Sequence, residues 1–262
     1  MHLHHVFRAR PLLTALFAAL VAAPSAIAQS NSMQVTPPVP IEPFEGRWNT
    51  NHGELRLHQV RRDPASYIIG DYANRGIIVG LVSPDGQCAH GVFTNGAESG
   101  GFQFVLDQGG EFSGLWAWHG EPPAGEWTGT RVGDAPRQLS GFTRGGGTLQ
   151  VIDQPRAIMS GLYDSRHGTL DLASRDLFLW GAYADKGIIA GQWDGNGFVG
   201  QFTNDGRVGW FDFDVLSKTG TVRGGQWGWH GEGKRGAWTP SDYTGQVTPI
   251  LDAVDVGGHL SC

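Results

Sequence analysis

The chain has 262 residues, a formal net charge of −6, and 40% apolar, 11% aromatic and 17% charged side chains. This balance supports a buried core and contains no basic block, which argues against nucleic acid and anionic membrane surfaces as partners, since both recruit cationic protein faces. With only Cys88 and Cys262 the fold is no disulfide scaffold, and two cysteines alone make no metal site; a Cys88–Cys262 disulfide and a free, buried Cys88 both stay open.

Residues 1–28 have the make-up of a signal peptide. Arg8 and Arg10 supply a positive start, "PLLTALFAALVAAPS" a short apolar stretch, and "AIA" before Gln29 a small-residue cleavage pattern. Secretion or a periplasmic location is the expectation. No later segment is continuously apolar for about 18 residues, so no membrane span is expected in the mature chain. Cleavage removes two arginines and no acid, which makes the mature protein more acidic. Residues 29–43 are polar and proline-rich and are expected to be an extended leader.

From residue 44 onward the sequence repeats itself. "FEGRWNTNHGELRL" from Phe44 matches "MSGLYDSRHGTLDL" from Met159, and "GDYANRGIIVG" from Gly70 matches "GAYADKGIIAG" from Gly181. "GVFTN" from Gly91 matches "GQFTN" from Gly200. Such self-similarity marks an internal duplication. The first unit, 44–131, reads as eight strands near 44–50, 53–59, 66–73, 76–82, 88–94, 101–107, 111–118 and 125–131. The second, 158–243, repeats them near 159–165, 168–173, 177–184, 187–193, 197–203, 208–215, 221–229 and 236–243. Short alternating runs at this spacing, broken by Gly, Asn, Asp and Pro, are the all-β pattern. Residues 132–157 are expected to be a linker; their "TRGGGT" lacks the lysine and the strand-to-helix setting of a phosphate loop. Residues 244–262 form a C-terminal tail.

In "EGRW", "IGDY", "HGVF" and "SGLW" a glycine stands two residues before an aromatic, so both lie on one strand face. A ring can then lie over bare backbone of the neighbouring strand, a device of curved sheets and closed barrels. The expected fold is therefore all-β, with two tandem eight-stranded antiparallel meander barrels. One continuous sheet or a β-sandwich is the alternative.

The spacing Gly46, Trp48, Gly53, Leu55, Leu57 recurs as Gly161, Tyr163, Gly168, Leu170, Leu172 and leads into "GIIVG" and "GIIAG". It resembles a glycine/aromatic β-strand repeat of secreted bacterial proteins of unknown role. The resemblance spans both units and implies β-architecture without an activity. "EGRWNT" is also similar to the Gly-x-Trp opening of avidin-like barrels. The biotin-contacting polar set of that family has no counterpart here, so biotin binding is not implied.

Chemistry-bearing residues are duplicated as well. Residues 116–127, "WAWHGEPPAGEW", match 227–238, "WGWHGEGKRGAW", in three tryptophans, a histidine, a glutamate and two glycines. His52 matches His167, His119 matches His230, and Glu121 matches Glu232. In a closed meander the turn after strand one and the turn after strand seven emerge at the same end. Each unit is then expected to gather His52, Trp118, His119, Glu121 and Trp127, or His167, Trp229, His230, Glu232 and Trp238, at one mouth. Trp116 and Trp227 are expected in the core.

Three uses compete for this set. Indoles with a few polar groups can hold a sugar ring or another small amphipathic ligand. Two histidines and a glutamate can ligate zinc. Or "WHGE" is a turn in which Gly120 and Gly231 take positive φ and the polar side chains satisfy backbone. The reading adopted is a secreted or envelope-associated binding protein for a glycan or small molecule, with no cofactor and no resident metal. The alternative is a barrel-type hydrolase or cyclase/isomerase with a His/Glu acid–base pair, with or without zinc. No G-x-S-x-G nucleophile motif occurs, "YDSRHG" at 163–168 is a weak Ser/His pairing, and Asp212 with Asp214 reads as a solvated strand face.

Overall fold

The computed structural model describes residues 42–142, 159–216, 219–243 and 260–262, all within one compact unit, Pro40–Cys262. The signal segment, nearly all of the leader, most of the linker and the tail up to residue 259 lie outside the described residues. Among the described residues no helix is long and apolar enough to cross a membrane.

The first half consists of strands β1 (Gly46–Thr50), β2 (Gly53–Arg62), β3 (Ala65–Tyr72), β4 (Gly76–Val82), β5 (Cys88–Asn95), β6 (Glu98–Leu106), β7 (Glu111–Trp118) and β8 (Pro123–Gly133). A single 3-10 turn, Ser140–Phe142, follows. The second half consists of β9 (Gly161–Asp164), β10 (Leu170–Arg175), β11 (Phe178–Tyr183), β12 (Gly187–Trp193), β13 (Gly197–Asn204), β14 (Arg207–Val215), β15 (Val222–Trp229), β16 (Gly236–Ala237) and β17 (Ser241–Tyr243). The protein is all-β, as its alternation requires.

Strands β1 to β8 pair antiparallel in sequence order, and β8 returns to β1 with Trp48 opposite Arg131 and Thr50 opposite Gly129. This closes an eight-stranded barrel. Side chains fill it: Trp48, Leu55, Leu57, Phe102, Phe104, Phe112 and Trp127 are all buried in one cluster. The glycine–aromatic device operates here. A Cβ on Gly80 would sit 2.7 Å from the Phe102 ring and 2.6 Å from the His90 carbonyl oxygen, so only glycine lets that ring cross. In the second half Gly191 and Phe211 repeat the contact at 2.7 Å.

Strands β9 to β16 likewise pair antiparallel in sequence order, and β17 lies against β9. Their core holds Tyr163, Leu170, Leu172, Phe198, Phe211, Phe213 and Trp238. One expected strand, 236–243, is split into β16 and β17. Pro240 stands where the first half has Gly129, and a proline nitrogen cannot donate to a ladder.

A third apolar cluster lies on the outer faces. Val60, Tyr67, Ile69, Ile77 and Val79 of the first half pack with Phe178, Trp180, Ile188 and Ala190 of the second, along with Leu139 and Phe142. Hence β3 and β4 are buried on both faces, and "GIIVG" and "GIIAG" are continuously apolar rather than alternating. A polar seam borders the cluster. Thr94 Oγ1 donates to Gln201 Oε1 at 2.7 Å and accepts the Ile77 amide at 2.9 Å; Thr203 Oγ1 accepts the Ile188 amide at 2.9 Å.

Two further ties hold the halves in one body. Arg56 grips the fully buried carboxylate of Asp71 in a two-pronged pair at 2.6 Å, and the Gly141 amide donates to the same carboxylate at 2.7 Å. That fastens the start of the connecting segment over β2 and β3. Cys88 and Cys262 form a disulfide, which ties the last residue to β5.

Candidate functional site

Each half ends in an aromatic cluster built from the same residues. Phe93 lies at the centre of the first, with ring centroids 6.1 Å from Trp116, 5.6 Å from Trp118 and 5.6 Å from Trp127. Phe202 repeats this with Trp227 at 6.0 Å, Trp229 at 5.7 Å and Trp238 at 5.0 Å. Tyr72 and Tyr183 each pack on the innermost tryptophan at 5.0 Å. Burial raises the phenol pKa of both, so both stay neutral hydrogen-bonding groups.

The tryptophans exchange the places that alternation assigns them. Trp127 and Trp238 are the sealed floor, at 2% and 1% exposure, whereas Trp116 and Trp227 are partly open. Trp127 faces inward from the middle of β8 and Trp238 from just after β16, while Trp116 and Trp227 lie near the ends of β7 and β15. The floor indoles are satisfied: Trp127 Nε1 donates to Thr50 Oγ1 at 3.2 Å and Trp238 Nε1 to Ser165 Oγ at 3.0 Å. Those hydroxyls also donate to Gly53 and Gly168 carbonyls, both at 2.6 Å. Ser165 is thus a turn residue with Thr50 as its counterpart, and the Ser/His pairing of "YDSRHG" is not a nucleophile arrangement.

His52 and His167 do reach the clusters. His52 packs edge-on against Trp116 at 5.8 Å and Trp127 at 5.4 Å, and His167 against Trp227 at 5.3 Å and Trp238 at 5.8 Å. In the first half His52 Nε2 lies 3.0 Å from the Glu126 carbonyl oxygen and so carries the proton. In the second, His167 Nε2 lies 3.3 Å from the Ala237 carbonyl oxygen, the counterpart of Glu126, with Arg166 Nε 3.0 Å away.

His119 and His230 are used differently. Residues 118–121 form a turn closed by the Glu121 amide donating to the Trp118 carbonyl at 3.0 Å, with Gly120 at φ +75°; 229–232 repeat it at 3.0 Å with Gly231 at +74°. This is the position at which a type II turn demands glycine. The histidines then lean on the opposite half. A Cβ on Gly206 would lie 3.0 Å from the His119 ring, and one on Gly96 would lie 3.9 Å from His230 Nε2. Those glycines sit in the β13–β14 and β5–β6 turns, which pair across the seam through Ser99 N to Gly206 O at 2.9 Å and Val208 N to Ala97 O at 3.0 Å. No hydrogen bond or ring contact joins His52 to His119 or Glu121. Glu232 is held by Arg235 at 2.8 Å, with Arg207 4.0 Å away. Among the described residues no three His, Cys, Asp or Glu side chains come together as a metal set. Asp212 and Asp214 are occupied on their strand face by Gln226 at 2.9 Å and Arg223 at 2.5 Å.

Several buried donors lack a partner among the described residues, Trp180 Nε1 and Gln192 Nε2 among them, and two stand at equivalent places. Trp116 Nε1 and Trp227 Nε1 are buried yet have no hydrogen-bond partner among the described residues. They occupy equivalent positions in the two copies. An unmet buried donor costs about 1–3 kcal/mol, so a duplicated one calls for a polar occupant. In the second half Trp227 opens onto a cavity of about 260 Å³, together with His167, Tyr183, Phe202, Trp229 and the Trp238 floor. Sequence reading passed over these two tryptophans because the alternation assigned them to the core; their duplication was the available signal.

Two other hollows differ in character. A cleft of about 340 Å³ between the halves carries Glu42, Glu45, His58, Arg137, Arg175 and Phe178, a mixed-charge set. A groove of about 520 Å³ over β1, β7 and β8 has a mainly polar rim. Neither is repeated in its residues. No family model matches the chain, and neither the curated proteins nor the solved structures compared with it gave a match.

Proposed function

We propose that the protein is an exported binding protein, built from two duplicated barrels, whose aromatic mouths hold a small ring-shaped ligand such as a sugar. The observation that carries this reading is the pair of unpartnered indole donors, Trp116 Nε1 and Trp227 Nε1, at equivalent places beside stacked aromatic walls. An aromatic wall takes the C–H face of a sugar, and an indole N–H takes one of its oxygens. The disulfide is consistent with export into an oxidising compartment. In this reading the binding residues are His52, Trp116 and Trp118 over the Trp127 floor, and His167, Trp227 and Trp229 over Trp238. His119 and His230 lean on the opposite half, and Glu121 and Glu232 belong to the same turns, outside the ligand contacts.

A thermal-shift screen of mono- and oligosaccharides and small amphiphiles tests it, since a ligand of the folded state raises the melting temperature. The double variant Trp116→Phe/Trp227→Phe keeps aromatic walls and removes both donors. It is expected to weaken a hit about tenfold, the worth of one hydrogen bond per site. Absence of any hit, with an unchanged response in the variant, would overturn the reading.

A further inference from the structure

The two mouths are not chemically equal. In the first half Asn51 is consumed by the barrel: its Nδ2 donates to the Glu126 carbonyl at 3.0 Å and its Oδ1 accepts the Thr128 amide at 3.0 Å. The second half has Arg166 there, and only its Nε is engaged, by His167. Its Nη groups have no hydrogen-bond partner among the described residues. Gly236 sits beneath them, and a Cβ placed on it would lie 3.0 Å from Arg166 Nη2 and 3.5 Å from Trp227 Nε1. A buried indole N–H without a partner and an exposed guanidinium therefore flank a single point that glycine leaves empty. In the first half the corresponding point above Gly125 has only Trp116 Nε1, at 3.0 Å.

Other cations border the second mouth. Lys186 lines the cavity with its ammonium 5.5 Å from the Tyr183 ring centroid, at the place Arg75 holds in the first copy, and Arg207 stacks 4.0 Å over the Trp229 ring with Glu232 4.0 Å away. Arg207 replaces Glu98 of the first copy. The difference in charge between the two mouths therefore rests on Arg166 in place of Asn51 and Arg207 in place of Glu98. Arg166 Nε lies 3.0 Å from His167 Nε2, and both side chains line the cavity.

We propose that the second mouth selects a ring bearing a carboxylate, with Arg166 Nη2 and Trp227 Nε1 donating to its two oxygens while the aromatic walls hold the ring. The first mouth, with Asn51 in place of Arg166, takes a neutral ring. Charge-assisted bonds are about twice as strong as neutral ones, and an arginine fork matches carboxylate geometry. The proposal rests on the binding reading above and adds the ligand class.

The test follows the indole N–H resonances of the intact, oxidised protein in NMR titrations with glucose, glucuronate and benzoate. Trp116→Phe and Trp227→Phe assign the two signals. Glucuronate is expected to shift the Trp227 signal at concentrations at least tenfold below glucose. Arg166→Asn, which installs the first-copy residue at an exposed site, is expected to remove that preference while the remaining spectrum is kept. Benzoate acting like glucuronate supports the carboxylate selection and assigns the ring to an aromatic acid. Equal response of Trp227 to glucose and glucuronate, or an unchanged preference in Arg166→Asn, overturns the selection and leaves ring binding standing. No shift of either signal with any of the three overturns both.

Discussion

His58 packs at the junction of the halves with both ring nitrogens engaged. Nδ1 faces Glu45 Oε1 at 3.0 Å, Nε2 faces the Pro136 carbonyl oxygen at 2.9 Å, and the ring lies 4.9 Å from Phe178. Burial lowers its pKa, but the Glu45 hydrogen bond and charge, with the Pro136 carbonyl and the charge of Asp71, outweigh it and leave the value raised above 6.5. A group whose folded pKa is raised stabilises the fold fully below its unfolded value and stops doing so as pH climbs through the folded one. Wild type is therefore expected to lose its melting-temperature advantage over His58→Gln between about pH 6 and pH 8. A constant difference across that range would remove the imidazolium. His58 escaped sequence reading because its counterpart in the second copy is Ala173, and the search followed residues that recur. The same holds for Asp71, matched by Ala182.

At the level of strands the order and extent were legible almost throughout. Fifteen of the sixteen expected strands are single elements in the expected places, because Gly, Asn and Asp mark the turns and alternation marks the strands. Closure of β8 onto β1, expected from the glycine–aromatic spacing, is found in the first half. One thing was passed over. Burial of the outer faces of β3, β4 and β12 was written in "GIIVG" and "GIIAG", whose unbroken apolar character signals a strand covered on both sides. The strands also explain the glycine content. Gly80→Val would drive its side chain into the His90 carbonyl at 2.6 Å and the Phe102 ring at 2.7 Å, with backbone that cannot swing aside. A loss of about 1–3 kcal/mol in urea unfolding is expected, the usual cost of overpacking. A neutral outcome would mean the ring finds another seat.

Across the whole molecule, the Cys88–Cys262 bond spans a sequence separation of 174 and anchors a C-terminus that also bonds through the Ser261 carbonyl to Gln103. Cross-linking so distant a pair restricts the unfolded chain. Cys88→Ser/Cys262→Ser is expected to lower unfolding free energy by about 2–4 kcal/mol, read by chemical denaturation against the oxidised wild type. An equal midpoint would show that the tail contributes nothing. The duplicated cassette made the aromatic clusters legible as a repeated feature, but not which of its side chains are buried and which are partly open. Barrel closure and the seam between halves decide that, by sending the histidines of "WHGE" across to the neighbouring copy.

That crossing has a mechanical result. Because His119 rests on a turn of the second half and His230 on a turn of the first, neither aromatic cluster can swivel without dislodging the other's support. The distance between the two clusters is then fixed as on a caliper. A chain-like polysaccharide whose neutral and acidic rings recur at that pitch would be gripped at two points, and one of a different pitch at a single point.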